Sequence, residues 1–392
     1  MSTELAMKTK LWTLILINTL FVISFVGECD DSLNFDMSIS DRADLRNADL
    51  SGRDFSGANL NQSDMSGAKL FGSNLNNAFM RSAWLIDADL SYAKLNGADL
   101  TGADFTEADL TRADLSEANL KNAKMSEAIL KGADLTKADF TRADLSDADL
   151  SEAEMTNARF FRTDLSGAIM KDIHFVGGNF IGSHMNWADI SGGYLSRGQF
   201  SRAEFYGVDL SDADLSDADF TRAYLMRGNL ARANLNWANL AYADLTEANL
   251  ADASLRGTRL SYVDLSGANL CGADLTDADV TTIHLRGANL SNAKMGRIEL
   301  YELDLRGVDM NGAYLKNANI YKTYLTNANL SGADLREATL TAVEMSGANL
   351  NGADLQRIKY DQVTLYSLYK ANLEGAIMCD ALKADLEALS EV

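Results

Sequence analysis

From Leu45 to Leu365 every fifth residue is apolar, and the phase never slips. All are Leu, Phe, Met, Ile, Val or Tyr. A period of five fits neither a helix stripe near 3.6 nor a coiled-coil seam at 3.5. Two residues before each large residue stands a small one, usually alanine, as at Ala43, Ala48, Ala58 and Ala68. The position between is usually Asp or Asn, as in Ala98-Asp99-Leu100 and Ala118-Asn119-Leu120. Small in, polar out, large in is the alternation of a short strand. The two residues that follow must turn a corner, so that the next alanine points inward again. Gly and Asn at the second corner position suit a turn that needs positive φ. Corners with Glu117 or Arg142 there are expected to use another turn geometry. A chain of strand–corner units winds into a coil, and stacked coils bond backbone to backbone about 4.8 Å apart.

The number of units per coil is legible in two columns. Phe140, Phe160, Phe180, Phe200 and Phe220 recur at intervals of twenty, and so do Arg142, Arg162, Arg202 and Arg222, interrupted by Gly182. Four units per coil would stack each set in one column. The absence of proline points the same way, because a backbone whose N–H groups are nearly all bonded cannot accommodate a residue without one.

The unit A-[DN]-L-x-x resembles the pentapeptide-repeat family over residues 41–365. The resemblance implies an all-β solenoid, a right-handed quadrilateral β-helix with four pentapeptides per coil. About sixteen coils would make a rod roughly 78 Å long at the strand spacing. Each coil would lean mainly on its neighbours, so stability would be close to a sum along one dimension. Residues 31–40, with Leu33, Phe35, Met37 and Ile39 alternating, read as an N-terminal cap strand. Residues 366–392 read as a C-terminal cap: Ala371-Asn372-Leu373 and Ala376-Ile377-Met378 continue a shifted pattern, and Leu382, Leu386 and Leu389 share one face of a short helix. Family members that mimic DNA use a C-terminal helix as a dimer contact. Capping is the reading favoured here.

Ahead of the repeat, Lys8 and Lys10 precede an apolar run at residues 11–27. This pattern makes residues 1–30 a signal peptide or a membrane anchor. Export or membrane tethering is therefore expected, rather than residence in the cytoplasm.

Acids outnumber bases 56 to 35, a formal charge of −21. That balance argues against nucleic acid as a partner, itself a polyanion. One acidic column runs at intervals of twenty through Asp44, Asp64, Asp104, Asp144, Asp164, Glu204, Asp244, Asp264 and Asp304. Paired carboxylates there would admit weak divalent cation binding; the plainer reading is that Asp suits the coil and keeps the rod soluble. Between residues 173 and 208 the inward alanine gives way to Ile173, Gly178, Ser183, Gly193, Gly198 and Val208. Outward or corner aromatics gather in the same stretch: Trp187, Tyr194 and Tyr206. It reads as repeat decay repaired by compensating volumes, or as a local bulge or recognition patch.

No catalytic set appears: there is no nucleophile beside a base, no phosphate loop and no metal-ligand spacing. His174, His184 and His284 all occupy outward positions, and no two can share a metal ion. Cys29, Cys271 and Cys379 make neither a disulfide framework nor a zinc site. No cofactor is implied. The sequence thus reads as a non-catalytic interaction scaffold, a rigid acidic rod that binds a protein partner or cations along its faces. The alternative is a DNA mimic that binds a type II topoisomerase such as DNA gyrase. Against it, the 53 acids and 33 bases beyond residue 30, a net −20 over roughly 78 Å, make one net charge per about 4 Å, whereas duplex DNA carries one per about 1.7 Å.

Overall fold

The computed structural model describes residues 41–390, together with the strands Thr13–Ile17 (β1) and Leu20–Ser24 (β2). These two strands lie inside the apolar run and pair antiparallel, Thr13 opposite Ser24 and Ile17 opposite Leu20. Among the described residues, no helix is long and apolar enough to cross a membrane. The N-terminal cap expected at residues 31–40 lies outside the described residues.

From Asp44 onward the chain is a quadrilateral β-helix. Outward residues pair in parallel with the residue twenty positions on, beginning Asp44 with Asp64, Asp49 with Lys69 and Asp54 with Asn74. Four pentapeptides therefore make one coil. Most strands are reduced to this single bridging residue. Only Glu299–Tyr301 (β3), Asn319–Tyr321 (β4), Thr339–Thr341 (β5) and Lys359–Tyr360 (β6) lengthen into a parallel sheet, in the order β3-β4-β5-β6.

One repeat shows what holds the coil together. Asp139 N–H donates to the Ala118 carbonyl at 3.0 Å, Phe140 N–H to Arg159 at 2.8 Å and Arg142 N–H to Phe161 at 3.0 Å. Ala143 N–H closes the corner on Phe140 at 2.9 Å. The remaining donor, Thr141 N–H, is taken by the Asp139 side chain at 3.0 Å. All five N–H groups are bonded, which is why proline finds no place. The outward Asp or Asn thus has a structural role. Its side chain bonds the backbone two residues on, as short polar residues do in turns.

The corner geometry departs from expectation. Every second-corner residue from Arg42 to Arg357 has positive φ, whether or not it is glycine; Glu117 is at 59° and Arg142 at 60°. A type II turn demands positive φ at its third residue. The coil-to-coil bonds impose that turn everywhere, even though a non-glycine residue in the left-handed region costs roughly 1–2 kcal/mol.

The shaft is filled from all four sides. The five phenylalanines superpose: consecutive ring centroids from Phe140 to Phe220 lie 4.8, 4.9, 5.2 and 4.7 Å apart. All five are buried. Leu100, Phe105 and Leu110 are fully buried as well. In the irregular stretch the bridges stay in register, His174 with Tyr194 and His184 with Glu204. Compensating volume explains this: a Cβ on Gly178 would lie 1.4 Å from the Phe175 ring, which occupies that space.

One interface is incompletely zipped. Val280, Thr282, Leu285 and Gly287 lack the N–H bonds to the next coil that Leu260, Tyr262, Leu265 and Gly267 make, and His284 does not bridge Asp304. Leu275 and Leu290, on the other two sides, keep theirs at 2.8 and 2.6 Å. The coils therefore splay on two adjacent faces only. The cause lies in the alanine column, which here holds Val263, Ile283 and Leu303 in succession. Excess volume in a close-packed core pushes backbone apart.

The register ends at Tyr360, five residues earlier than the periodicity suggests. Residues Gln362–Tyr369 form a helix, α1, so Leu365 reaches the core from a helix rather than a strand. Asp361 caps α1 by accepting from Thr364 N–H at 2.9 Å, and it also accepts from Ala342 N–H. Thr364 and Ser367 accept from Val343 and Met345 N–H. Helix side chains thus take the place of the next coil. The solenoid then resumes three residues out of phase, with Asn349 opposite Asn372 and Asp354 opposite Ile377. A second helix, Asp380–Ser390 (α2), buries Leu382 and packs Leu386 and Leu389 on the core. Tyr360 Oη donates to Asp385 at 2.6 Å and ties α2 down.

Three expectations follow. Gly178→Ala forces a methyl group into the Phe175 ring and should destabilise the rod by about 1–3 kcal/mol in urea unfolding. Amides of Thr282, Leu285 and Gly287 should exchange with deuterium at least tenfold faster than those of Tyr262, Leu265 and Gly267, because the former lack acceptors. The third concerns acid. Burial raises the Asp139 carboxyl, but the Thr141 hydroxyl and N–H and the Lys121 ammonium outweigh it and hold the group below its ordinary value. Asp219 and Asp274 are lowered in the same balance. A carboxylate lowered on folding contributes stability above the unfolded value of about 3.9, and that contribution is lost as pH falls through the folded value. The thermal midpoint should hold from pH 7 to about 5 and drop steeply below about 4. At pH 7, Asp139→Ala should cost about 1–3 kcal/mol. Asp139→Asn should cost less, since its side-chain oxygen still accepts from Thr141.

Candidate interaction surfaces

The acidic column is less uniform in space than in sequence. Trp84, Lys124, His184, Tyr224 and His284 interrupt it. Carboxylates meet on neighbouring coils at Asp44–Asp64, Asp144–Asp164 and Asp244–Asp264. Arg46 lies between the first pair, 2.7 Å from Asp44 and 3.7 Å from Asp64, and its hydrogen bond lowers the Asp44 carboxyl. Lys124 stands 3.5 Å from Asp104. Asp64, Asp104, Asp144, Asp164, Asp244 and Asp264 each accept the N–H two residues on. Asp304 does the same and is chelated by Arg306. Among the described residues no group of three or more His, Cys, Asp or Glu could hold a metal ion.

The arginine column is more open. Arg142, Arg162, Arg202 and Arg222 follow one corner, with φ of 60°, 55°, 59° and 60°. None of the four makes an ion pair among the described residues. Arg162 lies over its neighbour Phe161, 5.2 Å from the ring centroid. Arg222 lies 5.6 Å from the Tyr242 centroid. Tyr242 stacks parallel on Tyr262 at 4.9 Å, so two tyrosines extend the strip. Sequence reading missed this extension, although the spacing of twenty runs on through both.

The aromatic group divides. Trp187 meets Tyr206 edge-on at 5.1 Å. Arg227 lies over Tyr206, donates to its hydroxyl at 2.8 Å and pairs with Glu247 at 2.7 Å. Tyr194 belongs to another face, stacked on His174 at 4.9 Å. Trp237, 66% exposed, went unnoticed in the sequence. The signal was a glycine twenty residues on: a Cβ on Gly257 would strike the Trp237 ring at 2.3 Å, and Gly207 stands in the same relation to Trp187 at 2.4 Å. Both indoles lie flat over a glycine that makes room for them.

Two shallow depressions open on the surface of the described residues. One, of about 290 Å³, is lined by Arg42, Arg46, Asp64 and Trp84; another, of about 450 Å³, by Tyr301, Glu302, Asn319 and Tyr321. Cys271 and Cys379 are free thiols. On α2, the leucines that a dimer contact would use are turned onto the chain's own core.

The family model for pentapeptide repeats (8 copies) matches at residues 41–77, 83–122, 118–157, 158–197, 203–240, 228–267, 238–277, 283–320 and 318–357. No curated protein matches the chain. Similar solved structures include HetL, a pentapeptide repeat protein involved in heterocyst differentiation regulation from the cyanobacterium Nostoc sp. strain PCC 7120. It is 29% identical over 64% of this chain and 91% of that one, with a TM-score of 0.21. Full-length QnrB1, a plasmid-mediated fluoroquinolone resistance protein, is 18% identical over 57% of this chain and 100% of that one, with a TM-score of 0.20. A pentapeptide repeat protein from the Arabidopsis thaliana thylakoid lumen is 32% identical over 33% of this chain and 66% of that one, with a TM-score of 0.10. The family match spans most of the coil, whose bridges repeat every twenty residues, and the chain belongs to the pentapeptide-repeat family.

Proposed function

We propose that the chain is a non-catalytic interaction scaffold, exported or held at a membrane through residues 11–27, which presents a protein partner with the side chains that its own coil leaves unused. One observation carries this reading. The outward carboxylates are bonded to the chain's own turns, while Arg142, Arg162, Arg202 and Arg222 have no ion pair among the described residues. The exposed rings of Trp187, Trp237, Tyr242 and Tyr262 add contact area of the kind that protein interfaces favour. Depressions as shallow as those at Trp84 and Tyr301 suit contact along a face better than enclosure of a small substrate. Cation binding along the acidic column draws no support, since its aspartates already serve the coil and no group of three or more ligand side chains forms among the described residues. The DNA-mimic reading rests on the acidic rod and a dimer helix; the arginine strip weighs against the first, and the packing of Leu386 and Leu389 on the chain's own core weighs against the second.

Cell fractionation with mass spectrometry of the mature N-terminus tests the location, and photo-crosslinking from position 162 or 242 tests the surface. The expected result is a protein in the exported or membrane fraction, crosslinked to one partner from both positions. A soluble cytoplasmic protein with an intact N-terminus that inhibits DNA supercoiling would overturn the reading.

A further inference from the structure

On the face that lies over the phenylalanine column, three consecutive coils present no acidic side chain. With their corners they run over residues 156–162, 176–182 and 196–202. The coils on either side restore acid at Asp139 and Asp219. On a chain of net charge −21 this is a local inversion.

The side chains there form a frame. Arg159 and Arg162 project from the first coil, Arg197 and Arg202 from the third. The coil between has glycine at both corners, Gly177 and Gly182, and Asn179 at its centre. A Cβ on Gly177 would meet nothing within 4 Å, so the floor is open. Asn179 accepts Ile181 N–H at 3.0 Å through Oδ1, which turns its amide nitrogen to solvent as a donor. Gln199 continues the same column one coil on. Arg162, Arg197 and Arg202 make no ion pair among the described residues, and Arg159 is 3.7 Å from Asp139, beyond hydrogen-bond length. Arg159 is thus loosely paired with Asp139 and Arg162 rests on the Phe161 ring, yet among the described residues no guanidinium of the frame is hydrogen-bonded to a carboxylate, and with the two amides they make a donor-rich surface for carboxylates.

Its dimensions narrow the ligand. The rings beneath are spaced at 4.9 and 5.2 Å. The two arginine pairs therefore stand about 10 Å apart along the rod, two coil spacings. In an extended peptide, residues on one face recur about every 7 Å and fall out of step with this frame. In a helix, residues i and i+7 share a face and lie about 10.5 Å apart. Turns at i+3 or i+4 would then fall over Asn179. Val176, 45% exposed, offers an apolar margin.

We propose that this frame docks an acidic helix of a partner protein, laid along the rod's axis with carboxylates at i and i+7 on the two arginine pairs. The proposal rests on the protein-binding reading above and assigns it a site and a partner chemistry.

The test uses the full chain and a synthetic helical peptide carrying Glu at i and i+7, with binding followed by fluorescence anisotropy. Binding should weaken with added salt, fall at least tenfold in the variant R159Q/R162Q/R197Q/R202Q, and survive in R112Q. A peptide of the same composition with Glu at i and i+5, about 140° apart around the helix, should bind at least tenfold more weakly. If the fourfold variant loses its cooperative melt, R197Q/R202Q carries the same comparison. Equal binding by the two peptides, or by wild type and variant, would overturn the proposal. So would a sulfated polysaccharide that binds through these arginines while the peptide does not. A partner crosslinked from position 242 but indifferent to the fourfold substitution would remove this site and leave the scaffold reading standing.

Discussion

The fold depends on one constraint: each pentapeptide must find acceptors for five backbone N–H groups while turning a right angle. Two go to neighbouring coils along the strand, one crosses to a coil at the corner, one closes the turn, and one is bonded by the outward Asp or Asn. A repeat that omits any of these leaves a donor bare at a corner or in the ladder, and an unmet buried donor costs about 1–3 kcal/mol. Other features of the chain answer to this accounting. Proline is excluded, aspartate is retained in numbers that its charge alone would disfavour, and Glu117 and Arg142 accept a backbone conformation that they would not choose in isolation.

The same constraint explains which parts of the structure were legible in the sequence. Inward and outward positions could be read because burial sorts side chains by size and polarity at each step of five. Coil size could be read because aromatic rings stack best in registered columns, and the Phe140–Phe220 series records that. Turn geometry could not be read at Arg142, because local preference there is overruled by bonds to residues nineteen positions away. Helix α1 was hidden because Leu365 falls in phase with the repeat while belonging to a helix. The telling residues were Asp361, Thr364 and Ser367, whose side chains finish the last coil. The splayed interface was legible in principle, since Val263, Ile283 and Leu303 replace alanine three times running in one column.

The surface was harder to read than the core, for a physical reason. An outward side chain's role depends on its neighbours in space, most of them twenty residues away. The acidic column read as a ladder of charge, yet Lys124, Trp84 and Tyr224 stand within it and all its aspartates, though not Glu204, serve their own turns. Trp187, Tyr194 and Tyr206 looked like one cluster, but a full side of the coil and its far corner separate Tyr194 from the other two. The acid-free frame around Asn179 needs three coils to be laid side by side before it can be noticed.

Because residues twenty apart share a column, the pattern on each face is sensitive to the length of any change in the chain. Losing or gaining a whole coil would shorten or lengthen the rod and leave every side of it facing as before. Losing a single pentapeptide would keep the shaft filled, yet it would swing all that follows through a quarter turn, so that arginines once aligned with those below would look out over a different side. Lineages of such rods can therefore trade length freely in steps of twenty, while steps of five would scramble whatever their sides have been selected to hold.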